Sequence, residues 1–255
     1  MDTPPGIKTE LIEMEKCLKK PCDNSKFFNS FSRRSPVLKS LFLVVGLNVF
    51  KQLTGICPVI YYTVDIFRAS GSELSPYYCT LIVGSVELLP NLIAIFAMDR
   101  LGRRIILLTS GVGMAISHLI LSGYFLAKDL GSDVSFVNWL PLLGLNLYIM
   151  CYNIGFGPVP FFMSVELCTG ETRGWITSVG GFFNWLMVFL LTKVFFLMVT
   201  AWGQAVTYGV FSVFCVGASV FVFTCIPETK GKSRDEIQAI LSGKKHVNTS
   251  TQTQL

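Results

Sequence analysis

The chain has 255 residues, 51% of them hydrophobic and 15% charged, with a net charge of +5 and a mean hydropathy of +0.56. One soluble core of that length cannot bury so much apolar surface, which excludes an ordinary soluble enzyme and sets the excess against lipid.

A helix needs about 20 apolar residues to cross a hydrocarbon layer of about 30 Å. Six stretches meet that length, at 40–64, 76–98, 105–127, 139–163, 175–198 and 205–226. The sequence therefore predicts an all-α membrane protein with six transmembrane helices in one bundle. Residues 1–39 read as a cytoplasmic loop-like segment, 40–226 as the six-span bundle and 227–255 as a cytoplasmic tail.

Before the first span, Ile7, Leu11, Met14 and Leu18 recur at helical spacing among charged residues, which predicts a short amphipathic helix ended by Pro21. No apolar stretch within the first 36 residues resembles a cleavable signal peptide, so the first span is expected to act as its own insertion signal. Between the second and third spans, Asp99-Arg100-Leu101-Gly102-Arg103-Arg104 packs four charges and a glycine into a tight turn. Six crossings put both termini on one side, and seventeen of the 21 Lys and Arg residues fall there. Basic residues in short loops are retained in the cytoplasm, so both ends are expected in the cytosol.

The fourth span carries Gly155-Phe156-Gly157-Pro158-Val159-Pro160, where two prolines remove backbone donors and two glycines loosen the chain. In lipid such a break is tolerated where protein or a watery cavity receives the freed carbonyls, and interrupted spans point to transporter substrate sites. A plain structural kink is the alternative. After the last span Pro227 halts the helix, Ser233 and Glu236 have capping-box spacing, and 243–255 reads as disordered.

The eight cysteines show no metal spacing, and Cys17, Cys22, Cys57, Cys79, Cys151, Cys215 and Cys225 read as small apolar or reduced residues. The sequon at Asn248 falls on the cytoplasmic side and should stay unmodified. Neither a metal, a cofactor nor a nucleic acid is implied. His118 in the third span reads as an interior histidine rather than a proton relay.

Two ionisable residues at mid-span, Lys51 and Glu87, are costly there and mark a pathway or a pair. Each lies 12 residues from a cytoplasmic charge, Lys39 and Asp99 respectively, or roughly 18 Å at 1.5 Å per residue. Equal depth on sequential, antiparallel spans predicts an ion pair across the two helices; independent snorkelling is the alternative.

Several segments in order resemble the sugar-porter branch of the major facilitator superfamily: Gln52-Leu53-Thr54-Gly55-Ile56 with Tyr61-Tyr62, the Asp99–Arg104 turn, Gly157-Pro158-Val159-Pro160, Glu166 with Arg173-Gly174, Asn184-Trp185, and Pro227–Gly231. The branch includes animal glucose facilitators and insect trehalose and hexose transporters. The resemblance is to the second half of such a carrier, which implies half of a major facilitator fold and, as partners, a sugar, the lipid bilayer and a first six-span bundle in the same or another chain. It implies a multi-pass protein of the plasma membrane that moves a hexose or a disaccharide such as trehalose, by facilitation or proton linkage. A truncated, non-transporting half and a carrier of a small organic anion drawn to Lys51 remain alternatives, and no arrangement of residues supports an embedded enzyme.

For substrate binding the resemblance implies Lys51, Gln52, Cys57, Tyr61, Tyr62, Glu87, Asn153, Phe161, Asn184 and Trp185. This chain departs from the family at several of them. Lys51 stands where a glutamine contacts sugar, Cys57 where an asparagine is usual, Phe161 where a tryptophan is usual, and Asn153 where glucose facilitators carry a glutamate. Gln52, Asn153 and Asn184 remain as amides for sugar hydroxyls, and the aromatic rings can stack on a pyranose. Asp99, Arg103, Arg104, Glu166, Arg173 and Glu228 are similar to the family's inner gating network, with plain topogenic charge as the alternative.

Overall fold

The computed structural model describes residues 36–70, 75–132, 134–168, 172–232 and 236–237. The expected amphipathic helix over 7–20, Cys17, Cys22, Ser233, the sequon and the tail 243–255 lie outside the described residues, as do the side chains of Cys79 and Asp99.

The helices, in chain order, are α1 (Pro36–Leu53), α2 (Ile56–Tyr61), α3 (Thr63–Ser70), α4 (Pro76–Val86), α5 (Leu88–Leu101), α6 (Arg103–Asp129), α7 (Leu140–Ile154), α8 (Val159–Glu166) and α9 (Arg173–Cys225), with a 3-10 turn at Ser135–Val137. Five of the runs are long and apolar enough to cross a membrane. The last has 53 residues, about 80 Å, far more than one crossing needs. It breaks at Gly203 (φ 80°, ψ 172°), a conformation that suits a residue without a Cβ, so it supplies two crossings and the total is six.

Spans expected to be continuous at 40–64 and 76–98 are each interrupted, and proline explains both. Pro58 has no N–H to close the helical turn onto the Thr54 carbonyl, and Gly55 takes a left-handed φ of 90°, so α1 ends and α2 begins. Pro90 cannot donate to Val86 and crowds its carbonyl, which separates α4 from α5 at Glu87. The expected break in the fourth span is present between α7 and α8, where the amides of Gly155 and Gly157 both turn to the Tyr152 carbonyl, at 3.2 and 2.8 Å.

The core lies where α9 packs on α6 and α1, and α6 packs on α7. Serine hydroxyls join the helices by donating to carbonyls of their neighbours: Ser110 to Cys151 at 2.7 Å, Ser122 to Ala205 at 2.7 Å, Ser212 to Ala115 at 3.0 Å. Such bonds and small residues hold helices together where lipid offers no hydrophobic drive. Helices approach closely at Gly111 and Gly155, where an added Cβ would sit 2.2 Å from Ser219 Oγ and 2.4 Å from Ser110 Cβ. Outward faces carry Phe42, Phe96, Phe189, Phe196 and Val213, which belong in an apolar surrounding.

The carbonyl that Pro58 orphans is received by two other helices. Tyr148 Oη donates to Thr54 O at 3.0 Å from α7, and His118 Nε2 donates to it at 3.0 Å from α6. His118 is thus an interior histidine, its ring 4.3 Å from that of Tyr148 and 5.9 Å from that of Tyr208. A buried acceptor stripped of its donor costs about 1–3 kcal/mol. Tyr148→Phe and His118→Phe should therefore each lower stability by about 1 kcal/mol, because one donor remains, and the double variant should lose more than the sum. Unfolding in mixed detergent measures this; additive losses would contradict the shared carbonyl.

Candidate functional site

The α1–α2 and α7–α8 breaks and the first half of α9 bring together most of the polar residues expected to bind substrate. Gln52 and Asn184 are 3% and 7% exposed, and Gln52 Nε2 donates to Asn184 Oδ1 at 2.7 Å. The Cys57 thiol donates to Gln52 Oε1 at 3.2 Å, so the substituted cysteine helps hold the glutamine amide in one orientation. Asn153, at the end of α7, is 7% exposed and its Nδ2 has no partner among the described residues.

Lys51 does not pair with Glu87, which corrects the expectation drawn from their equal depth. Its ammonium donates to the Gly157 carbonyl at 3.0 Å and lies 3.8 Å above the ring centroid of Phe161. The reason is again a helix break: the Phe161 amide that would close on Gly157 O in a regular helix bonds instead to Pro158 O at 3.1 Å. The vacant carbonyl accepts from Lys51, joining α1 to the α7–α8 break. Glu87 stays half-buried, with its backbone carbonyl taken by Asn91 Nδ2 at 3.0 Å.

The other expected residues are less closely tied. Tyr62 packs on Phe195, ring centroids 5.3 Å apart, while Tyr61 and Trp185 are exposed and Phe161 is 57% exposed beneath Lys51. Two surface hollows, of about 510 and 460 Å³, lie elsewhere, one along α7 around Trp139 and Met150 and one between α6 and α9 around Val112 and Phe223. They are apolar, open grooves and hold none of these residues.

A second cluster forms at the opposite side of the breaks, where the turn before α6, the end of α8 and the segment after α9 meet. Arg103 Nη2 bridges to Glu166 Oε1 at 3.1 Å, and the Thr229 hydroxyl donates to Glu166 Oε2 at 2.7 Å. Glu228 spans the start of α6, its two oxygens accepting from the amides of Arg103 and Arg104 at 3.2 Å each. That placement satisfies two orphan donors and sets a negative charge at the positive end of the helix. An added Cβ at Gly102 would lie 3.0 Å from the Glu228 carboxylate, so the glycine leaves the space the cap fills. The Arg104 guanidinium donates to the Phe223 carbonyl, the Lys230 ammonium to that of Arg100, and Ser40 Oγ to that of Leu167 at 2.7 Å.

Of the expected gating residues, Arg103, Arg104, Glu166 and Glu228 meet in this cluster. Arg173 makes no ion pair among the described residues, and the Asp99 side chain is outside them. Burial pushes the Cys168 thiol up to about 11, opposed by the charge of Arg173. The sequence reading overlooked Thr229, although it lies inside the quoted Pro227–Gly231 segment. It also overlooked the Gly157 and Thr54 carbonyls, whose signal was a proline within four residues.

Glu228→Gln removes the charge and one of the two capping oxygens. Amide exchange at Arg103 and Arg104 should then quicken about five-fold, for a cap worth about 1 kcal/mol. Hydrogen–deuterium exchange reads this directly, and unchanged rates at both amides would contradict the cap.

Residues 1–241 match the family described as "Sugar (and other) transporter". The facilitated trehalose transporter Tret1 of Aedes aegypti is 42% identical over 207 residues, covering 81% of this chain and 26% of the relative. The Tret1-2 homolog of Drosophila simulans is 41% identical over 207 residues, covering 81% of this chain and 42% of the relative. This chain therefore spans between about a quarter and two fifths of the length of these relatives. Among solved structures, the proton:xylose symporter XylE of E. coli, bound to 6-bromo-6-deoxy-D-glucose, superposes with a TM-score of 0.69 at 25% identity, over 79% of this chain and 42% of that one. With 241 of its residues inside the family pattern and its six helical passes on the frame of a sugar symporter, this chain belongs to the sugar (and other) transporter family and is a multi-pass membrane protein.

Proposed function

We propose that the chain forms one lobe of a carrier that moves a hexose or a disaccharide such as trehalose across the plasma membrane by alternating access. The observation that carries this reading is the Gln52–Asn184 amide pair joining α1 to α9, with Asn153 Nδ2 at the α7–α8 break lacking a partner among the described residues. Amides present donors and acceptors together, as a sugar's hydroxyls require, and a site built from such bonds discriminates through them. The names of the relatives, facilitated trehalose transporters, and the halogenated glucose held by XylE support the same substrate class.

The substrate set in this reading is Lys51, Gln52, Cys57, Tyr61, Tyr62, Glu87, Asn153, Phe161, Asn184 and Trp185, the rings offering faces to a pyranose. The exposed Phe161 and Trp185 suit a wall that a first six-helix bundle, in the same or another chain, would close. The Arg103–Glu166–Thr229 cluster with Glu228 serves as the inner gate. An exposed or half-exposed ion pair is worth about 0–1 kcal/mol, a size suited to switching between two nearly equal states. In this arrangement 1–39 and 227–255 are cytoplasmic and flank the bundle at 40–226.

Equilibrium dialysis of the purified chain in nanodiscs should show saturable binding of labelled glucose or trehalose, weakened about tenfold or more in Gln52→Ala and Asn184→Ala. Binding that survives both substitutions unchanged would exclude this amide pair from the site. An accessible tag at residue 130 should react with impermeant label from outside intact cells, and reaction only after permeabilisation would reverse the orientation.

A further inference from the structure

Lys51 is 5% exposed, and among the described residues no carboxylate pairs with it. Of its three ammonium hydrogens, one reaches the Gly157 carbonyl, and the face of Phe161 supplies the remaining contact. A carbonyl and a ring soften a buried charge without neutralising it, and an intramembrane cation of this kind calls for an anion.

The surroundings are short of acceptors as well. Asn153 lies against the same break: a Cβ added at Gly157 would sit 3.4 Å from Asn153 Cα and 3.5 Å from its Oδ1. Its Nδ2, in a side chain more than nine-tenths buried, donates to nothing among the described residues. Gln52, the next residue along α1, accepts one bond at its carbonyl oxygen from the Cys57 thiol and donates one from its amide nitrogen to Asn184. Among the described residues neither the Lys51 ammonium nor the Asn153 amide nitrogen bonds to a carboxylate, that of half-buried Glu87 in the same set included. Phe161, 57% exposed, leaves one side open.

We propose that Lys51 and Asn153 form a carboxylate subsite within the sugar site, so that the preferred solute is a sugar carrying an acidic group. A carboxylate has two oxygens, one to accept from the Lys51 ammonium and one from Asn153 Nδ2, and its single charge matches that of the one side chain it would pair with. A dianionic phosphate would leave one charge uncompensated here, since no arginine fork stands beside Lys51. The proposal rests on the sugar-carrier reading and narrows its substrate class.

The test compares labelled D-glucuronate, D-glucose and lactate by equilibrium dialysis against the purified full chain in nanodiscs. Glucuronate should bind about tenfold or more tightly than glucose, as a charge-assisted hydrogen bond implies, and also more tightly than lactate. Lys51→Gln keeps a donor for Gly157 O and removes the charge, and should bring the glucuronate-to-glucose ratio to about one. Asn153→Asp sets a like charge beside the bound carboxylate and should lower glucuronate binding at least as far. Glucose binding as tightly as glucuronate would overturn the subsite while leaving the sugar carrier standing. Lactate binding as tightly as glucuronate would keep the subsite and overturn the sugar. Binding of none of the three would overturn both, and an unchanged ratio in Lys51→Gln would overturn the role of Lys51.

Discussion

A backbone carbonyl released from its helix inside lipid has no water to turn to, and this constraint organises the site. Pro58 releases Thr54 O, and the Pro158–Pro160 segment releases Gly157 O. Each carbonyl is recovered by side chains from other helices: the first by Tyr148 and His118, the second by Lys51. The breaks thus bind α1, α6, α7 and α8 to one another where a regular helix would bond only to itself. They also hold Gln52, Cys57 and Asn153 beside the irregular backbone, where the bundle can present polar groups at membrane depth.

The two polar clusters differ in burial and in strength. Around Gln52 and Lys51 the groups are buried and their bonds fix side-chain orientation, so removing a partner strands another. Around Glu166 and Glu228 the charged groups are partly exposed, and several bonds run from side chains to helix ends or loop carbonyls. Contacts of that sort are individually modest, whereas each bond of the buried set is costly to break.

The frame of the fold was legible in hydropathy, because lipid demands apolar runs of one length. The break at Gly155–Pro160 was legible for the same reason that it exists: proline cannot donate. The breaks at Gly55 and Glu87 left the same mark, in Pro58 and Pro90, yet sat inside runs whose apolar character was unbroken. The Lys51–Glu87 pair failed for another reason. Counting residues from the charged ends gives depth along a helix but not the direction a side chain faces, and it cannot register the competing carbonyl of Gly157. Gln52 and Asn184 came from the resemblance, and their mutual bond joins positions 132 residues apart that no local pattern connects.

The central claim is that Lys51 satisfies the Gly157 carbonyl. Isotope-edited infrared spectroscopy of the chain labelled with a carbon-13 carbonyl at glycine, assigned through a Gly157→Ala variant, reads that bond directly. The account predicts a down-shifted, hydrogen-bonded Gly157 carbonyl band in the native chain that moves to higher frequency in Lys51→Met. An identical band in both proteins would contradict it.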